Sequence, residues 1–275
     1  MLRQPAVAGY FYQASPSRLR DQVESFLINR EQKLPALGIV APHAGLVYSG
    51  PVAGAVYCSI ELPATFVLIG PNHTGLGAPV SIMPAGAWET PLGRVAIDES
   101  LAEAIQAHSR RILADQFAHL REHSLEVQLP FIQHFKKDFS IVPIQMMDTR
   151  LETCIEVGTA VARAIEDRGA RKAGGNGNGV LIVASSDMSH YVSATEAKTK
   201  DHKAIKRILD LDAQGLYYTV KDEGISMCGY GPAVAMLTAC KALGATTAEL
   251  IKYANSGEVS GDYDQVVGYA GIVVY

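Results

Sequence analysis

The stretch LIGPNHTGLG, residues 68–77, carries the reading of the fold. An apolar run, TFVLIG at 65–70, stops at Gly70-Pro71 and passes straight into Asn72, His73, Thr74 and Gly75. A short apolar run bounded by turn formers predicts a strand buried on both faces, as at the centre of a parallel sheet. A histidine just beyond such a strand stands where open α/β sheets bind ligands, outside the carboxyl ends of the strands. Two further runs repeat the pattern: LGIVAP (37–42) ends at His43, and VLIVASS (180–186) ends at Asp187 and His190. Parallel neighbours would bring all three loops to one edge. Gly45, Gly70 and Gly75 allow tight turns there, and Pro42 and Pro71 restrict the chain just before the histidines.

Outward from these runs, strands alternate with helical patterns. Helices are expected over GPVAGAVYCSI (50–60), ESLAEAIQAH (99–108), LETCIEVGTAVARAIEDR (151–168), TEAKTKDHKAIKRILDL (195–211) and GPAVAMLTACKAL (231–243). HSLEVQLPFIQHF (123–135) also has helical periodicity, with Leu125, Leu129 and Ile132 on one side. FSIVPIQM (139–146) reads as a strand, residues 78–98 as a hairpin excursion, ARKAGGNGNG (170–179) as a loop, and 248–256 and 265–275 as two final strands. The alternation predicts an α/β fold: a single layered domain over residues 1–275, with a mostly parallel central sheet flanked by helices.

Composition narrows the function classes. The chain has 275 residues, 48% of them hydrophobic and 19% charged, with a net charge of −4. That balance does not suit nucleic acid as a main partner, which usually selects a basic excess. No apolar run reaches the roughly 18 residues of a membrane span. The start lacks a signal-peptide apolar core, so a cytoplasmic protein is expected. Cys58, Cys154, Cys228 and Cys240 are widely spaced and form no CxxC pair, which argues against a disulfide framework.

The chemistry collects at the strand ends. Cys228 lies in the glycine-containing turn of ISMCGYGPAVAML, just before a helix, where a helix N-terminus is expected to lower a thiol pKa and favour the thiolate. The other three cysteines sit within helical patterns and read as small buried hydrophobes. Two histidines and a thiolate make a three-ligand site suited to zinc, copper or iron. Asp187 either serves the same site or caps the following turn. In REHSLEVQLPF, His123 and Glu126 share a face if the segment is helical, either as pocket residues or in an N-terminal capping arrangement. Tyr48 is a candidate for the pocket wall, and Asn72 stands beside His73 in the turn. His108, His119, His134 and His202 sit in charged helical contexts and read as surface or hydrogen-bonded structural residues. GxGxxG, Walker A, HExxH and GxSxG patterns are absent from the sequence.

Six segments in series, PAVAGYFY, APHAGLVYSG, GPNHTG, HSLEVQLPF, SSDMSHY and MCGYGP, together resemble the Memo family, called AmmeMemoRadiSam system protein B in bacteria and archaea. They run from residue 5 to beyond residue 230. The resemblance implies a fold similar to the class III extradiol, or LigB-like, dioxygenases, which hold non-haem iron with two histidines and a carboxylate. It implies metal ligation by His43, His73 and Cys228, with His190 in the place of the dioxygenase acid/base histidine and Asp187 beside it. It also implies iron or copper redox chemistry, and association with a radical SAM protein and an AMMECR1-like protein. A thiolate in place of the carboxylate is softer and shifts preference toward copper or zinc.

Three functions compete. The first is a metal-dependent redox enzyme in which His190 moves protons, a task suited to a side chain that titrates near neutrality. The second is a binding protein that captures a peptide or small-molecule ligand in the same pocket. The third is a zinc-assisted hydrolase with Glu126 or His190 as base.

Overall fold

The computed structural model describes residues 1–28, 30–169 and 179–275. The Gly/Asn loop expected at 170–179 therefore lies outside the described residues, save Gly179 at its end. In chain order the elements are β1 (Leu2–Arg3), α1 (Pro16–Glu24), β2 (Gly38–Ala41), α2 (Leu46–Cys58), β3 (Thr65–Pro71), β4 (Val80–Ile82), β5 (Ala87–Thr90) and β6 (Gly93–Ile97). There follow α3 (Glu99–Ala107), β7 (Leu113–Ala114), α4 (Phe117–Leu120), a 3₁₀ turn (Glu126–Gln128), α5 (Leu129–Phe135), β8 (Ser140–Met146), α6 (Leu151–Asp167) and β9 (Val180–Ser185). The chain closes with β10 (His190–Val192), α7 (Ala194–Leu209), α8 (Ala213–Asp222), α9 (Tyr230–Ala242), β11 (Ala248–Asn255), α10 (Gly257–Ser260) and β12 (Val266–Val274).

The strands form one sheet in the order β1-β5-β6-β8-β3-β9-β2-β12-β10, with β11 on β12 and β4 bridging β8 and β7. Its centre, β6-β8-β3-β9-β2, is parallel throughout. Every residue of β2, β3 and β9 is buried, the burial expected of strands covered on both faces. The β5–β6 hairpin and the β11–β12 pair add antiparallel borders.

Helices cover both faces. Gly38 lies against α9, where an added Cβ would sit 2.5 Å from Cys240 Sγ. Gly271 lies against α2, where an added Cβ would sit 2.4 Å from Val56. Gly38 pairs with Val274, an odd number of residues from Gly271, so the two glycines face opposite sides of the sheet. α7 shows the surface type: Ala197, Asp201, Ala204, Ile205 and Ile208 form its buried stripe at helical spacing.

Three local expectations change. α2 begins a turn before Gly50-Pro51, because Tyr48 N and Ser49 N donate to Gly45 O, 2.8 and 3.2 Å away. The helix thus starts three residues after His43 and holds that loop short. Residues 123–135 do not form one helix; a bend precedes the 3₁₀ turn and α5. Helices α1 and α8 and strand β10 are additions to the sequence reading. α1 and α8 each bury only two side chains, so their apolar periodicity is thin.

Candidate metal centre

Register explains the convergence of the strand-end loops. Ala41 of β2 pairs with Ser185 of β9, and Ile69 of β3 pairs with Ala184 of β9. The three strands are adjacent and parallel, so the loops carrying His43, His73 and Asp187 leave the same edge. Cys228 reaches the same edge from the turn ahead of α9, with Sγ beside His43 and Asp187. Gly229 permits this approach, since an added Cβ there would sit 2.3 Å from Ser185 O.

His43, His73 and Cys228 each offer a ligand atom within 4.8 Å of the others. The two imidazoles are prepared in the same way. His43 Nδ1 lies 2.9 Å from Ser185 Oγ. That hydroxyl spends its single proton on Ser124 O at 2.6 Å and accepts from Gln128 Nε2 at 2.8 Å. It must therefore accept from His43 as well, which assigns the proton to Nδ1 and leaves Nε2 as the lone pair. Nε2 in turn lies 3.3 Å from Cys228 Sγ. His73 Nδ1 donates to Glu122 Oε1 at 3.0 Å, again leaving Nε2 free. Such outer acceptors fix the tautomer of metal-binding histidines. The donor set fits a soft or borderline transition metal.

Electrostatics at the edge are governed by burial. It holds the His43 pKa well below the ordinary histidine value, with repulsion from His123 and His73 adding to the effect. Burial pushes the Cys228 thiol up, and the neighbouring Asp187 pushes it further. This corrects the expectation of a thiol lowered by its helix N-terminus: desolvation and a like charge outweigh the helix, and a cation at the site would be what favours the thiolate. The Asp187 N–H, 3.3 Å from Sγ, already points a donor at it.

Asp187 is buried, and its Oδ1 accepts from His43 N at 2.8 Å and Ala44 N at 3.3 Å. Burial raises its pKa, against those backbone donors. Its Oδ2 stands 3.9 Å from His43 Nε2. His190 is partly exposed, and its Nδ1 donates to Ser226 O at 2.9 Å, so its Nε2 is free as well. Both His190 and Asp187 lie near enough to His43 or Cys228 for their charges to be felt there.

The remaining expected residues divide. The His123 ring stacks on His73 at 4.8 Å, meets His43 edge-on at 5.5 Å and rests against Phe11 at 4.7 Å, so it belongs to the site. Tyr48, in the first turn of α2, is 38% exposed at the rim. It lies close enough to the buried Tyr269 phenol to help raise its pKa, after burial and Asp187. Asn72 shapes the turn: Oδ1 accepts from Thr74 N, Thr74 Oγ1 and Gly75 N, and Nδ2 donates to Leu76 O. Glu126 turns away from the site. It is fully buried, pairs with Arg3, and accepts from Ala6 N, Val7 N and the Tyr12 hydroxyl. The non-helical bend at 123–125 separates it from His123, so the shared-face expectation fails.

Glu122 is absent from the sequence reading. Beside Arg121 it looks like a surface charge, yet it is fully buried against His73. Burial alone would raise its pKa, but hydrogen bonding and attraction from His73, with the Ser124 N–H, lower it to about 2. His119 corrects another expectation. It is not a surface residue: it is fully buried, with no well-formed hydrogen bond at either ring nitrogen, although the Ser81 backbone lies near enough to favour its protonated form. No helix among the described residues is long and apolar enough to cross a membrane.

Comparison with known proteins adds lineage to this geometry. A family model described as Memo-like protein matches residues 3–273. A MEMO1 family protein of Methanothermobacter thermautotrophicus is 46% identical over 283 residues, covering 98% of this chain and 99% of the relative. One from Pyrobaculum aerophilum is 45% identical over 287 residues, covering 100% and 99%. Another from Methanosarcina barkeri is 46% identical over 275 residues, covering 99% and 100%. Among solved structures, an uncharacterized Escherichia coli K12 protein aligns over 86% of this chain and 98% of its own, with 14% identity and a TM-score of 0.47.

Proposed function

The chain belongs to the Memo-like family, and from that premise we propose that His43, His73 and Cys228 hold a transition metal, iron or copper, in a redox enzyme. The carrying observation is the pair of locked imidazoles. Ser185 and Glu122 each occupy an Nδ1 and leave both Nε2 lone pairs free; His43 Nε2 lies 3.3 Å from Cys228 Sγ, and the ligand atoms of the three residues lie within 4.8 Å of one another. The metal would supply Lewis acidity and one-electron redox chemistry at that point.

The chain's own residues do the rest. Cys228 contributes the softening thiolate, favoured by the Asp187 N–H. His190, with Nδ1 held by Ser226 O, presents Nε2 as the proton carrier for a substrate at the centre. Asp187 fixes the His43 backbone through Oδ1 and keeps Oδ2 toward the site. His123 and Phe11 form one wall and limit water on that side. Metal-reconstituted protein should consume oxygen or produce superoxide in the presence of a reductant, and Cys228→Ser should lose at least nine-tenths of that rate. Equal rates in the two proteins would overturn the assignment.

A second reading, capture of a peptide or small-molecule ligand without catalysis, draws support from the exposed aromatic rim. Tyr191 is 72% exposed beside His190, Tyr48 is 38% exposed, and both lie near the Tyr269 phenol. Undiminished ligand binding by metal-stripped protein would favour it. Zinc-assisted hydrolysis loses one of its two candidate bases, because all of Glu126's acceptor capacity is taken by Arg3, Tyr12 and two backbone N–H groups, and it rests on His190 alone.

A further inference from the structure

Glu122 is not one of the three proposed ligands, but it hydrogen-bonds the ring of one of them, His73. One carboxylate oxygen accepts from His73 N at 2.5 Å. The other accepts from His73 Nδ1 at 3.0 Å, and from His123 N and Ser124 N, both at 2.9 Å. All four donors belong to two loops, the one beyond β3 and the one before the 3₁₀ turn. A carboxylate can only accept, so the ring is fixed with its proton on Nδ1. His43 is held in the same tautomer by Ser185, but through a neutral hydroxyl. The two imidazoles therefore differ in donor strength, one being backed by a buried full charge and the other by a dipole. A charge-assisted acceptor holds the ring more firmly and makes its free nitrogen the better donor.

We propose that Glu122 is the positioning residue of this centre: it orients His73, strengthens its Nε2 as a donor, and thereby sets the affinity for a divalent transition metal. The proposal rests on the reading of His43, His73 and Cys228 as ligands. A separate cation site made of His73, Glu122 and His123 is disfavoured. Those ligand atoms do lie within 4.8 Å of one another. However, Glu122 Oε1 already takes three N–H donors and Oε2 takes His73 N, so a metal on this carboxylate would compete with bonds that hold the two loops.

The experiment uses Co²⁺ as probe, titrated anaerobically against a competing chelator into wild type, Glu122→Gln, Glu126→Gln and His73→Ala. Wild type should bind one Co²⁺ with a thiolate-to-cobalt charge-transfer band. Glu122→Gln should bind 10- to 100-fold more weakly, the usual cost of losing an outer-shell partner. Its band should shift, because the amide must turn a donor toward the His73 or Ser124 N–H. Glu126→Gln, altered in an equally buried acid, should melt earlier but keep the wild-type affinity and spectrum. Should Glu122→Gln melt too early to titrate, Glu122→Asp retains the charge while withdrawing the oxygens, and the same loss is expected. Wild-type affinity and spectrum in the Glu122 variants, with both lost in His73→Ala, would overturn the role of Glu122 and leave the ligand reading standing. No Co²⁺ uptake by wild type would overturn both.

Discussion

Glu122 and Glu126 are four residues apart, both fully buried, and differently employed. Glu126 meets a guanidinium, a phenol and two backbone N–H groups, and clamps residues 3–12 to the core. Its partners are fixed groups with nothing further to offer. Glu122 meets an imidazole whose second nitrogen is free. The histidines divide the same way. His43, on the site side, has its Nδ1 satisfied and its Nε2 beside a thiol. His119, on the clamp side, packs against Trp88 near Arg3 with no well-formed hydrogen bond at either nitrogen. Burial alone therefore does not mark a functional residue. What marks it is an acceptor that secures one end of a side chain while the other end stays available.

The largest expected effect lies on the clamp side. Glu126→Ala strands the Arg3 charge inside the protein, where breaking a buried pair costs about 3–5 kcal/mol. Denaturant unfolding should register that loss, while metal affinity of the folded protein stays at the wild-type level. A comparable drop in metal affinity would erase the distinction between the two acids. Next comes Glu122→Gln, expected to cost about 1.4–2.7 kcal/mol in metal binding, the equivalent of 10- to 100-fold, with a smaller change in stability.

The smallest effect concerns His119. Burial, then Arg3, lowers its pKa to about 3 in the folded protein, against about 6.5 when unfolded. Between those values the unfolded chain binds the extra proton. Its contribution is thus fully present above about pH 6.5 and is lost as pH falls toward 3, by up to about 1.4 kcal/mol per unit. His119→Leu removes no well-formed hydrogen bond, so stability at pH 7 should be unchanged or slightly higher. The acid side of its stability–pH curve should be flatter than wild type. An unchanged slope would mean that His119 gains a proton partner in the folded state.

Much of the fold was legible because β2, β3 and β9 are continuous apolar runs, and such runs have few places to go but the middle of a covered sheet. Their polar, glycine- and proline-punctuated ends located His43, His73, Asp187 and His190. The rest was hidden for identifiable reasons. Glu122 and Arg3 are charged residues in short irregular segments, where no periodicity reports burial. The paired expectation for His123 and Glu126 assumed a helix through residues 123–126, where the chain bends instead. The position of Cys228 before a helix points to a lowered thiol pKa, but desolvation and Asp187 dominate, and neither is visible in the local sequence. Ser185 and Gln128 carry the polar network under His43, but in sequence each looks like an ordinary strand-end or helix-start residue.

The most direct measurement is metal content by elemental analysis. Wild type and a His43→Ala/His73→Ala/Cys228→Ser variant would be purified side by side without oxygen. Stoichiometric iron or copper in the wild type alone is the predicted result. No metal in either protein, with no uptake when the reduced wild type is titrated, would contradict the metal centre and leave a ligand-binding pocket as the better description.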